Sequence, residues 1–172
     1  MDGQGLKISE ADIRECIEGG LRSLSIPCSV RVRLHSDLTD GKVWVDREAI
    51  QRAFGELVKN ALDAMPAGGE LAILLSGDGD RIEIAVEDTG VGITPEGIAM
   101  LFTPFFTTKP VGEGTGLGLP SVYGTVKAHG GRVIVESNAD PQKGATGTTV
   151  RITLPRWTLV KDPKTSLILH DD

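Results

Sequence analysis

The sequence predicts an α/β fold, a two-layer sandwich whose mixed, largely antiparallel sheet carries three helices on one face. Short strands of alternating apolar residues recur between Val30 and Leu154, stretches of helical periodicity interrupt them, and turn signals join several strands as hairpins. A chain of 172 residues with 40% apolar content can bury one continuous core without staples.

Residues 1–8 are expected to be a disordered start and residues 9–155 the folded domain. Ile13, Ile17, Leu21 and Leu24 recur at helical spacing, with Ser9-Glu10-Ala11-Asp12 as the capping lead-in and Gly19-Gly20 as a weak point. Val30, Val32 and Leu34 alternate with Arg31 and Arg33 as in a half-buried strand, and Lys42-Val43-Trp44-Val45 forms a second, ended by Asp46 as a helix N-cap. The helix from about 47 to 65 places Ile50, Phe54, Leu57, Val58, Ala61, Leu62 and Met65 on one face. Glu56, Lys59, Asn60 and Asp63 share the opposite face, and Pro66-Ala67-Gly68-Gly69 ends the helix. Leu71 to Leu75 and Ile82 to Val86 are strands joined by Gly77-Asp78-Gly79-Asp80, a hairpin signal. Proline and glycine make residues 95–116 a long loop around an apolar patch of Phe102, Phe105 and Phe106. Leu117 to Ala128 then forms a helix with Leu119, Val122, Tyr123 and Val126 on one stripe, stopped by Gly130-Gly131. Val133 to Val135 and Thr148 to Leu154 supply the last strands.

Composition excludes several classes of function. A net charge of −6 and a pI near 5.1 leave no basic stripe for nucleic acid. No apolar run is long enough to span a bilayer, so no direct membrane contact is expected. Cys16 and Cys28 lack metal-ligand or CxxC spacing, which fits a reduced, cytoplasmic setting. The chemistry lies in Gly112-Glu113-Gly114-Thr115-Gly116-Leu117-Gly118-Leu119, where glycines at every second position lead into a helix start. Backbone N–H groups there can approach phosphate oxygens, and the helix dipole adds favourable charge. Neither GxxxxGK[ST] nor GxGxxG occurs, so this is not a P-loop or Rossmann solution.

Together these segments resemble the GHKL superfamily, the Bergerat-fold ATPases and kinases, and within it the sensor histidine kinases of the nitrogen-sensor-like or hybrid branch. Glu56 to Ala64 looks like the N box and Val86 to Ile93 like the G1 box. Leu101 to Lys109 resembles the F box, and Gly114 to Leu119 the G2 box, all in the family's order. The resemblance implies ATP and Mg²⁺ as ligands, with Asn60 coordinating the metal and Asp88 accepting a hydrogen bond from the adenine amino group. Gly90 and Gly92 would leave room for the base, with Ile93 and Asp63 lining the site and Thr148 as a secondary adenine contact. Residues 95–116 would be the lid, with Phe102, Lys109, Gly114, Thr115, Gly116, Leu117, Gly118 and Leu119 against nucleotide. Lys59 joins Glu56 and Asn60 as a candidate catalytic group.

Two departures from the family pattern bear on mechanism. Glu56 stands where most histidine kinases have asparagine, which admits a general-base or metal-shell role. None of His35, His129 and His170 sits in an H box, and His129 is expected as a dipole partner at a helix C-terminus. The phospho-accepting histidine is therefore expected on a separate dimerisation domain, with a response regulator or fused receiver domain downstream. The tail, residues 156–172, ends in Ser166 to Asp172, which is either a frayed acidic terminus or the truncated opening of a receiver domain.

Overall fold

Apolar residues at every second position of four strands fall on one side of a sheet, and the helices close over that side. The computed structural model describes residues 5–106 and 116–157. Its elements are β1 (Ser9–Asp12), α1 (Ile13–Arg22), β2 (Val30–Ser36), β3 (Lys42–Val45), α2 (Arg47–Asp63), β4 (Gly69–Gly77), β5 (Arg81–Asp88), α3 (Pro95–Met100), α4 (Gly118–Ala128), β6 (Arg132–Asn138) and β7 (Gly147–Pro155). The main sheet has the order β2-β4-β5-β7-β6. Among the described strands only β2 and β4 run parallel, because the chain returns between them through α2, whereas β4 and β5 are joined by the expected hairpin.

Leu71, Ile73 and Leu75 of β4 stand opposite Asp88, Val86 and Ile84 of β5, which stand opposite Thr148, Val150 and Ile152 of β7. The apolar members are buried beneath Phe54, Leu57, Val58 and Ala61 of α2 and Val122 and Val126 of α4. The other face is charged: Arg151 lies 3.5 Å from both Glu83 and Glu136, and Arg33 pairs with Glu70. Asp46 caps α2 as expected, accepting from the Ala49 N–H at 3.0 Å. No helix among the described residues is long and apolar enough to cross a membrane.

Four expectations require correction. Ser9–Asp12 is a strand, not a lead-in to a helix, and pairs antiparallel with β3 in a separate two-stranded sheet. Only its last residue caps α1, with Asp12 accepting from the Arg14 N–H. Inside the stretch 95–116, Pro95–Met100 is a helix whose Thr94 side chain accepts from Gly97 N–H at 3.2 Å. Thr-Pro-Glu is a sound start signal, and it was masked by the density of prolines and glycines around it. Tyr123 is 39% exposed and lies outside the core stripe, in which Val122 and Val126 are fully buried and Leu119 is partly buried. It stacks instead on Phe102 at 4.9 Å, with Lys127 Nζ 5.6 Å from its ring.

His129 is the fourth. It is fully buried, with Nδ1 2.7 Å from Thr125 O and Nε2 3.0 Å from Asp46 N. A backbone N–H can only donate, so Nε2 is the acceptor and Nδ1 carries the proton. The imidazole joins the end of α4 to the start of α2 as a neutral hydrogen-bond bridge, not as a charged dipole partner.

Candidate functional site

The hydrophobic pattern of β5 carries Asp88 to the end of the helix-covered sheet face, where Leu71 and Thr148 flank it in register. Its Oδ1 accepts from the Gly90 N–H at 2.8 Å. Burial raises the carboxyl's pKa above the ordinary aspartate value, and backbone hydrogen bonds from Gly90 and Thr148 pull it part of the way back. The chain then turns onto α2: Val91 N–H donates to Ala64 O at 2.9 Å, and Ala64 N–H to Asn60 O at 3.1 Å. A Cβ on Gly90 would collide with the Ala64 carbonyl, and one on Gly92, at φ +74°, with the carbonyl of Asn138. Both glycines are thus required by close approach of the protein's own backbone, whatever they leave open to a ligand.

The polar face of α2 meets the start of α4. A Cβ on Gly118 would stand 2.8 Å from Glu56 Oε2 and 3.8 Å from Asn60 Nδ2. Leu117 stands at the N-cap position of α4 and makes no side-chain cap hydrogen bond. Lys59 Nζ lies 2.9 Å from Glu56 Oε1, and this hydrogen bond raises the lysine pKa. The C-terminal half of α2 thus meets two segments: the chain after Asp88 lies on Ala64, one turn from Asn60, and Gly118 lies against Glu56 and Asn60. Carboxylate and amide oxygens are the donors a hard divalent cation takes. Among the described residues no group of three or more His, Cys, Asp or Glu could hold a metal ion.

A cavity of about 460 Å³ reaches Asp88 and Thr148 from the open side of the sheet, between Arg33, Glu70, Glu87 and Glu136. Asn60 and Gly118 do not line it, so it is distinct from the space between Asp88 and α2.

Comparison with known proteins fits this geometry. Residues 45–158 match the model of the histidine kinase-, DNA gyrase B- and HSP90-like ATPases. The chain belongs to this family. Within it the relatives are sensor kinases, and this is the ATP-binding catalytic domain of a sensor histidine kinase. Histidine protein kinase DivJ of Caulobacter vibrioides is 37% identical over 150 residues, covering 84% of this chain and 24% of that protein. Sensor kinase CckA of Brucella abortus is 40% identical over 129 residues, 66% of this chain and 13% of its own length. The chain therefore spans a quarter or less of these two relatives. A solved structure of a mycobacterial sensor histidine kinase, MprB, superposes with a TM-score of 0.73 at 30% identity, covering 86% of this chain and 97% of that one.

GHKL domains generally bind ATP with Mg²⁺. Of the candidate residues in this GHKL domain, Lys109, Gly114 and Thr115 lie outside the described residues. Gly116 packs against the Phe105 backbone, whose N–H donates to Gly116 O at 3.0 Å. Leu119 is partly buried against the core, Leu117 is 43% exposed, and Asp63 is exposed at the end of α2. Phe102 is engaged by Tyr123, while Phe105, 76% exposed, does not pin the segment to the core. Sequence reasoning missed Ser137 on β6, whose hydroxyl holds the Ile93 amide at 2.8 Å. A lone serine in a short edge strand gives no local signal, because its partners are brought to it by sheet register.

Proposed function

We propose that this domain binds Mg²⁺-ATP between the end of β5 and the α2–α4 groove. From there it donates the γ-phosphoryl to a histidine on a dimerisation domain outside this chain. Asp88 accepts from the adenine amino group, Thr148 supports it from β7, and the amides leading into α4 receive phosphate oxygens. Asn60 offers its side-chain oxygen to the metal, with Glu56 next to it. Bound Mg²⁺ would supply charge neutralisation across the phosphates. In the transfer, the imidazole nitrogen forms an N–P bond as the bond from γ-phosphorus to the bridging oxygen breaks, ADP leaves and the imidazole loses its proton. The chain's own contribution is positioning and exclusion of water. The phosphoryl group then passes to a response regulator or fused receiver domain.

The observation that supports this reading is the meeting on α2 of the turn after Asp88, which lies on Ala64, and of Gly118, which lies against Glu56 and Asn60. Incubation of the chain with γ-labelled ATP and a separately supplied histidine-bearing dimerisation domain should label that domain. Nucleotide binding without any transfer would leave a non-catalytic nucleotide sensor in its place.

A second reading is favoured by one contact, the Glu56 carboxylate lying against the start of α4. Glu56 would then be a general base in a stand-alone ATPase or hydroxyl-directed protein kinase. Steady ATP turnover by the isolated chain that Glu56→Gln abolishes would favour it over histidine transfer.

A further inference from the structure

Ser137 Oγ lies 2.8 Å from Ile93 N, 2.8 Å from Gly147 O and 2.7 Å from Thr148 Oγ1. A hydroxyl has one proton to give and two lone pairs to receive with. The Ile93 amide can only donate and the Gly147 carbonyl can only accept, so Ser137 gives its proton to Gly147 and takes one hydrogen bond from Ile93. Its second lone pair faces the Thr148 hydroxyl, which must therefore be the donor. That leaves Thr148, 7% exposed, with acceptor capacity alone on its free side. Thr148 stands directly opposite Asp88 in the β5–β7 register, and a carboxylate is also an acceptor.

We propose that Ser137 is a specificity-determining positioning residue: by fixing the direction of the Thr148 hydroxyl, it makes the Asp88–Thr148 edge an all-acceptor edge. Such an edge pairs with a purine carrying an exocyclic amino group at position 6 and rejects one carrying a carbonyl there, whose lone pairs would face acceptors. The same serine fixes Ile93, immediately before the Thr94 cap of α3, so the base edge and the root of the following segment share one hydroxyl. This rests on the reading of Asp88 as the base-recognition carboxylate.

The test measures ATP and ITP affinity, by calorimetry with Mg²⁺, for the full chain and its variants. Ser137→Ala frees the Thr148 hydroxyl to rotate and donate, so the preference for ATP over ITP should fall by about tenfold, the worth of one redirected hydrogen bond. Ser137→Thr, which keeps the hydroxyl, should restore most of it. A merely structural serine would weaken both nucleotides equally and leave their ratio unchanged, and that result overturns the proposal. Where Ser137→Ala does not fold, Thr148→Val serves: removal of the relayed hydroxyl should lower the same ratio, and an unchanged ratio refutes the relay. Asp88→Asn separates the two levels. If it leaves ATP affinity unchanged, the adenine reading itself fails, and the relay with it. If it weakens ATP while both relay variants keep the wild-type ratio, the reading stands and the relay falls.

Discussion

The two halves of the site are built on opposite principles. At the sheet end, Asp88, Thr148 and Ser137 are held by backbone and hydroxyl partners at 2.7–2.8 Å, and Thr148 is buried. On α2, Lys59 and Glu56 form a rim pair with side chains 57% and 36% exposed, beside a helix start whose N-cap residue, Leu117, makes no side-chain cap hydrogen bond. An exposed pair of that kind is worth ~1 kcal/mol at most, because water screens it and both side chains keep their freedom. On the proposed function, base recognition would be pre-organised by sheet register, whereas the phosphate and metal half would acquire its strength only when ligand displaces water.

The sharpest way to break this division is to remove the Asn60 amide, the proposed metal ligand, alone. Asn60→Ala should lower phosphoryl transfer by about 100-fold, as loss of one transition-state contact does. It should also erase the Mg²⁺ dependence of binding while metal-free nucleotide affinity persists. If Mg²⁺ still tightens nucleotide binding in a calorimetric titration of that variant, the metal role lies elsewhere. The reciprocal change is Asp88→Asn, which should weaken ATP binding at least about tenfold through loss of a charge-assisted contact. Its Mg²⁺ dependence should stay intact, and a variant that loses both would show the halves to be one unit.

A smaller effect sharpens the comparison at the junction of the helices. Gly118→Ala must displace the flexible end of Glu56, and about 1 kcal/mol of Mg²⁺-ATP affinity should be lost. A variant that binds as tightly as the parent would show that Glu56 is free to swing aside. The smallest effect concerns the ligand-free protein. Burial raises the Asp88 pKa in the folded chain, so its charged form opposes folding. Stability from this group is fully present below the unfolded pKa and is lost as pH rises through the folded one. Asp88→Asn should consequently melt ~2 °C higher than the parent at neutral pH, an advantage that disappears below about pH 4. Equal melting temperatures at both pH values would mean that solvent reaches the carboxylate freely.

Much of the fold was legible because its signals are local. The Gly77-Asp78-Gly79-Asp80 turn, the Asp46 cap and the alternation of Leu71, Ile73 and Leu75 each need only a few neighbours in sequence to be read. β1 was not, because in four residues only Ala11 is buried, too short a pattern to separate a strand from a helix lead-in. Of the site, Asp88 and the α2 polar face were visible through their resemblance to family motifs. Ser137 was not, since its Ile93 partner lies 44 residues away and only sheet pairing brings them together.

By itself, the sequence determined the layered α/β class, the polar face of α2, the glycine-rich approach to α4 and the net negative charge. Each follows from periodicity, backbone permissiveness or net charge, which are properties of a residue and its near neighbours. Tertiary structure alone decided that His129 would be a neutral bridge to Asp46, 83 residues distant, and that Glu56 would lie against Gly118. It also decided which way a buried hydroxyl points. A hydrogen bond's direction depends on which donors and acceptors register and packing place around it, and no local pattern contains that information.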